Sequence, residues 1–87
     1  MELNEDVLAD VRKRLRRAQG QVGGVIQMID EGRDCRDVIT QLAAVSRALD
    51  RAGFRLIASG LEQCLVDDSE EAAASREQLE KLFLALA

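Results

Sequence analysis

Between Asp34 and Asp67 the chain has no proline and no strong helix breaker. Apolar or small residues recur there at Cys35, Val38, Ile39, Leu42, Val45, Leu49, Ala52, Leu56, Gly60 and Cys64. That spacing lines one side of an α-helix. About thirty residues at about 1.5 Å each make a helix of roughly 45 Å. A compact monomer of 87 residues has a radius of gyration near 12 Å. The helix is therefore too long for its own globule. One chain cannot cover the stripe, and a second chain is expected to do so. Much of the stripe keeps a spacing of about 3.5, which favours the shallow crossing angles of a helical bundle.

A shorter helix is predicted on either side. Asn4 is a good N-cap, with Glu5 and Asp6 at the positive end of the helix dipole. Val7, Val11, Leu15, Ala18, Val22, Val25 or Ile26, and Ile29 follow at helical spacing, and Gly32 is a natural stop. Gly20, Gly23 and Gly24 each cost about 1 kcal/mol inside such a helix. The apolar period keeps its phase through them, so the helix is expected to continue, with the glycines serving close helix packing. Asp34 opens the long helix with Asp37 three residues on, a loose capping box. Asp68 or Ser69 caps the third helix, whose apolar face is Leu79, Leu82, Phe83 and Leu86. The expectation is one all-α domain over residues 1–87, without repeats or linkers.

Composition removes whole classes of function. The sequence has no histidine, so no His base, triad or His metal ligand exists. No phosphate loop or paired-carboxylate pocket is legible, and an enzyme is not expected. No apolar run approaches the roughly 20 residues that cross a membrane. The acidic start, Met1 to Asp6, lacks the basic and apolar regions of a signal peptide. The expected location is the cytoplasm, where the two cysteines are reduced by default.

Net charge is −4, unevenly spread. Residues 1–55 carry ten basic and nine acidic side chains, and residues 56–87 two and seven. Arg12, Lys13, Arg14, Arg16 and Arg17 form a cationic block, and Arg47, Arg51 and Arg55 recur every four residues. On charge alone these read as solvated faces balanced by acids such as Asp10 and Asp50. Local clustering can equally override a pI of 4.8 and build an anion-binding surface.

Cys35 and Cys64 are 29 positions apart, about eight turns, so they share one face at opposite ends of the long helix. Their separation along it is about 43 Å. A disulfide needs Cα atoms within about 7 Å, which excludes a bridge within one intact chain. In an antiparallel pair of these helices, Cys35 of one chain meets Cys64 of the other, twice per two-fold dimer. Cys35 lies in the first helical turn between Arg33 and Arg36, a field that favours the thiolate, and is the candidate nucleophile. Cys64 is the candidate resolving thiol. Spacing alone leaves open that both are small core residues.

Two strings carry a family resemblance. Arg14-Leu15-Arg16-Arg17-Ala18-Gln19-Gly20-Gln21-Val22-Gly23-Gly24 precedes Met28-Ile29-Asp30-Glu31-Gly32-Arg33-Asp34-Cys35. Gln41-Leu42-Ala43-Ala44-Val45 precedes Ala48-Leu49-Asp50-Arg51-Ala52-Gly53. From about residue 7 to residue 85 the chain resembles the copper-sensitive operon repressor family. The resemblance implies an antiparallel four-helix-bundle dimer, paired into a tetramer. It also implies a transcriptional repressor without enzyme activity, released from operator DNA by an effector. Arg14 and Arg51 match the positions most often assigned to DNA, with Arg17, Arg47 and Arg55 as neighbours. Copper-sensing members hold Cu(I) with Cys, His and Cys from two chains. Cys35 and Cys64 match the cysteines, but Gly60 stands where the His belongs. Members with both cysteines and no His are the CsoR-like sulfurtransferase repressors, which react with persulfides and polysulfides. The expected function is therefore a repressor sensing reactive sulfur through Cys35 and Cys64, with no cofactor. The rivals are a Cu(I)-responsive repressor using the same two thiolates, and a plain oligomerisation module with structural cysteines.

Overall fold

The computed structural model describes residues 3–87. Met1 and Glu2, the first residues of the acidic start, lie outside them. Three helices account for the chain: α1 (Glu5–Asp30), α2 (Cys35–Val66) and α3 (Glu70–Leu86). No strand occurs among the described residues.

Each start is set by a side chain that satisfies an orphan backbone donor. Asn4 Oδ1 accepts from the Asp6 N–H at 2.7 Å, Asp34 Oδ1 from Arg36 at 2.8 Å, and Ser69 Oγ from Ala72 at 3.1 Å. Between the two candidates for the third cap, Ser69 takes the role. α1 ends where Gly32 turns to φ +72°. There the Gly32 N–H reaches the Ile29 carbonyl at 3.1 Å and the Arg33 N–H the Met28 carbonyl at 3.0 Å. This is the paired closure that a left-handed residue permits.

α1 runs unbroken through Gly20, Gly23 and Gly24. The close packing expected of them is not met within one chain. A Cβ built on any of the three meets no atom within 4 Å, so no helix of the same chain packs closely there.

The molecule is a slab of 55 × 25 × 12 Å with a radius of gyration of 16.7 Å. Its thickness is about that of one helix layer, and its radius exceeds the ~12 Å of a compact chain this long. α1 folds back along α2, and α3 folds back along the second half of α2. Side chains meet only along these seams. Val7, Val11 and Ala52 form the buried cluster, with Leu56 against it. Ala18, Val25 and Val45 are also buried, yet no large side chain is fully enclosed.

The slab has two unlike faces. At about 100° per residue, Leu15, Val22, Ile26 and Ile29 fall to one side of the α1 seam, and Arg14, Arg17 and Gln21 to the other. On α2 the same division puts Ile39, Leu42 and Leu49 on one side, and Ala44, Arg47, Ala48 and Arg51 on the other. The seven apolar side chains are 41–60% exposed. The stripe read from the sequence is therefore only partly buried within one chain. Its Val45 and Ala52 enter the seam, while Ile39, Leu42 and Leu49 face outward. α3 is likewise half covered. Phe83 meets Phe54 with ring centroids 5.3 Å apart, but Leu82 and Phe83 stay 57% and 45% exposed.

Candidate functional site

Arginine spacing on two helices becomes one site through their antiparallel packing. Arg14, Arg17 and Gln21 recur at three and four residues on α1. Ala44, Arg47, Ala48 and Arg51 do so on α2. Together they line a single open groove of about 260 Å³. The two alanines keep its α2 wall low, so guanidinium groups from both helices reach the same space. Of the five arginines that the resemblance assigns to DNA or its neighbourhood, Arg14, Arg17, Arg47 and Arg51 line this groove and Arg55 does not. Arg17, Arg47 and Arg51 make no ion pair among the described residues. Like charges gathered in one concavity raise the local anion concentration, whatever the net charge of the chain.

Arg14 differs from the other three. Its Nε donates to Asp10 Oδ2 at 2.9 Å, one turn earlier on α1. The Nε of Arg55 on α2 approaches the same oxygen at 3.7 Å. The hydrogen bond from Arg14 holds the Asp10 carboxyl below the usual carboxylate range, against partial desolvation and with help from the charges of Arg14, Arg55 and Lys13. Asp10 and Lys13 line a second concavity that shares Arg14 and Arg17 with the groove. The sequence reading passed over Gln21 and gave Asp10 only as a balancing acid. The signals for both were present. Gln21 continues the Arg14–Arg17 side of α1, and Asp10 stands at the ion-pairing distance of four residues from Arg14.

The two cysteines occupy opposite ends of α2 and different environments. Cys35 is the first residue of the helix and is exposed, whereas Cys64 is buried, and both are free thiols. The cations beside Cys35 are already engaged. Arg36 Nε lies 3.3 Å from Asp34 Oδ1, and Arg33 reaches Asp37 Oδ2 at 4.0 Å. Hydrogen bonds from the Arg36 side chain and backbone hold the Asp34 carboxyl below its usual range. Cys64 is covered by the beginning of α3. It lines a small polar cavity of about 170 Å³ with Gln63, Asp67, Glu71, Ala72 and Ser75. The sequence placed both thiols on one buried stripe. In one chain the stripe's open end leaves Cys35 bare, while α3 folds over Cys64. Gly60, one turn before Cys64, is also buried.

No group of three or more His, Cys, Asp or Glu side chains converges to hold a metal among the described residues. Within one chain the donors therefore do not fit a metal ion. About 43 Å of helix separates the two thiols.

The chain thus carries an arginine groove on one face and two thiols along its longest helix. The model of the metal-sensitive transcriptional repressor family matches residues 8–87, and the chain belongs to that family. The family is one of transcriptional repressors, not of enzymes.

The chain is 45% identical over 53 residues to the copper-sensing transcriptional repressor RicR of Mycobacterium tuberculosis, covering 61% of this chain and 55% of RicR. It thus spans about half the length of that relative. It is 30% identical over 78 residues to the copper-sensing transcriptional repressor CsoR of Bacillus subtilis, covering 84% of this chain and 77% of CsoR. Among solved structures, the nickel-responsive transcriptional regulator InrS superposes with a TM-score of 0.82 at 27% identity, covering 95% of this chain and 97% of InrS.

Proposed function

We propose that this chain is a cytoplasmic repressor that holds operator DNA through the arginine groove and releases it when reactive sulfur joins Cys35 to Cys64 of a second chain. One observation carries the reading of the effector. The sequence keeps two cysteines at the ends of one helix, has no histidine anywhere, and puts Gly60 one turn before Cys64. A thiol pair without a third ligand suits sulfur chemistry better than a three-coordinate metal.

The chemistry runs in two displacements. The exposed Cys35 thiolate attacks the terminal sulfur of a hydropolysulfide, forming a Cys35 persulfide and expelling a polysulfide shorter by one sulfur. Cys64 of the second chain, as thiolate, attacks the inner sulfur of that persulfide. A disulfide forms and hydrosulfide leaves. The two thiols lose two electrons and the sulfane sulfur gains them. Antiparallel pairing of α2 brings the thiols together, and the apolar face with Ile39, Leu42 and Leu49 is the surface available for it.

The copper-sensing relatives support a second reading, in which Cu(I) bridges the same two thiolates. Gel shifts with polysulfide and with Cu(I), followed by non-reducing mass spectrometry, separate the two. Polysulfide is expected to release DNA and to give covalent dimers carrying Cys35–Cys64 links, lost in Cys35→Ala and Cys64→Ala. Release by low Cu(I) with the complex intact in polysulfide replaces the first reading by the second.

A further inference from the structure

Asp10 occupies the cationic surface from inside the chain. Its carboxylate takes the Nε of Arg14 at 2.9 Å and faces the Nε of Arg55 at 3.7 Å. It reaches both helices at the end of the groove where Arg14 and Arg51 stand. The side chains of Asp10, Arg14 and Arg55 are 40%, 44% and 40% exposed, and exposed ion pairs of this kind add little stability. A phosphate oxygen and a carboxylate oxygen compete for the same guanidinium donors. Arg17, Arg47 and Arg51, farther along the groove, have no such internal partner among the described residues.

We propose that Asp10 is an internal counter-ion that a DNA phosphate must displace from Arg14 and Arg55, so that it sets the affinity and salt dependence of DNA binding. The inference rests on the groove being the DNA surface; it adds Asp10 to that surface and gives Arg55, already a candidate neighbour of the DNA contacts, a specific part in it. Arg55 becomes a phosphate contact released by displacement of Asp10, and Asp10 becomes the residue that weakens binding. Because the carboxylate stays ionised throughout the neutral range, its competition is constant there. With Asp10 in place, Arg14 and Arg55 exchange one anion for another and fewer counterions leave the DNA. Without it, both arginines enter the interface with their full charge.

The test uses the full chain and a fluorescently labelled mixed-sequence DNA duplex, because the phosphate contribution does not depend on sequence. Anisotropy titrations between about 50 and 200 mM salt give affinity and slope together. Asp10→Asn is expected to tighten binding several-fold at the low end and to steepen the log–log slope by about one unit per additional phosphate engaged. Asp30→Asn removes the same charge about 30 Å away along α1, beyond the screening length, and is expected to change neither. In the double variant Asp10→Asn/Arg55→Gln the gain is expected to shrink, since one freed guanidinium is gone.

Weaker binding by Asp10→Asn, or an unchanged slope, overturns the proposal and makes Asp10 an orienting partner of Arg14. An equal gain from Asp30→Asn overturns it too, because total charge then accounts for the effect. Circular dichroism of each variant shows that the helices persist. Should Asp10→Asn lose its helices, Asp10→Ser is measured by the same criteria. Arg17→Ala and Arg51→Ala distinguish this failure from that of the groove itself. If neither changes affinity or slope, the DNA surface lies elsewhere. If both weaken binding while Asp10→Asn does not tighten it, the Asp10 inference alone falls.

Discussion

Leu49→Asp tests the assembly on which the proposed sensing chemistry depends. Pairing Cys35 with Cys64 of a second chain in antiparallel α2 helices places the two-fold axis between residues 49 and 50. The two Leu49 side chains then meet beside the axis. Leu49 is 46% exposed in one chain, and burying a leucine completely is worth about 1.5–3 kcal/mol. Covering its remaining surface is thus worth about 1 kcal/mol per chain, or about 2 kcal/mol per dimer. The substitution also brings two carboxylates together in an apolar seam, at several kcal/mol after relaxation. The combined loss of about 5 kcal/mol weakens dimerisation between about a thousandfold and ten-thousandfold. Sedimentation velocity across the micromolar range reads this directly. The wild type is expected to sediment as a dimer or larger, and Leu49→Asp as a monomer. Leu65→Asp is the matched control, since Leu65 is 70% exposed, about 23 Å from the axis along α2 and on the Arg47 side of the helix, and is expected to assemble normally. A stable folded wild-type monomer at micromolar concentration, or a Leu49→Asp dimer of unchanged affinity, refutes the reasoning.

The remaining predictions concern the thiols, the caps and the glycines. Ser69→Ala removes the acceptor for the Ala72 N–H and costs the start of α3 about 1 kcal/mol. Because that turn covers Cys64, its alkylation by neutral iodoacetamide is expected to rise about fivefold, with no change at Cys35. Asp34 has a lowered carboxyl pKa, so its contribution to stability is present above the ordinary carboxylate range and is lost as pH falls through the lowered value. The protection of amides in the first turn of α2, relative to their intrinsic exchange rate at each pH, is therefore expected to fall on acidification, and Asp34→Asn, which caps without titrating in that range, is expected to abolish that fall. Gly23→Ala is expected to raise thermal stability by about 1 kcal/mol, because a Cβ there meets nothing within 4 Å in the chain. A fall in stability would mean that another chain packs on that side of α1.

Helix number, helix ends and the all-α class were legible in the sequence, because they depend on contacts a few residues apart. Asn4, Asp34 and Ser69 cap through donors two or three positions on. Gly32 and Arg33 close α1 through carbonyls three and five positions back, respectively. The length of α2 and the impossibility of an intrachain disulfide followed from rise per residue alone.

Tertiary structure decided what depends on the order in which helices pack. The arginines of α1 and α2 form one groove because the turn at Gly32 folds the helices antiparallel and puts Arg14 and Arg17 opposite Arg51 and Arg47. Their periodicities on separate helices carried no such register. The same packing brings Asp10 against Arg55, 45 positions away in sequence, where local spacing showed only its partner Arg14. It also makes the two cysteines unequal. Period and position placed them on one face, but α3 returns along α2 over Cys64 and stops short of Cys35. That difference arises from where a third helix lies, and no pattern within the second helix encodes it.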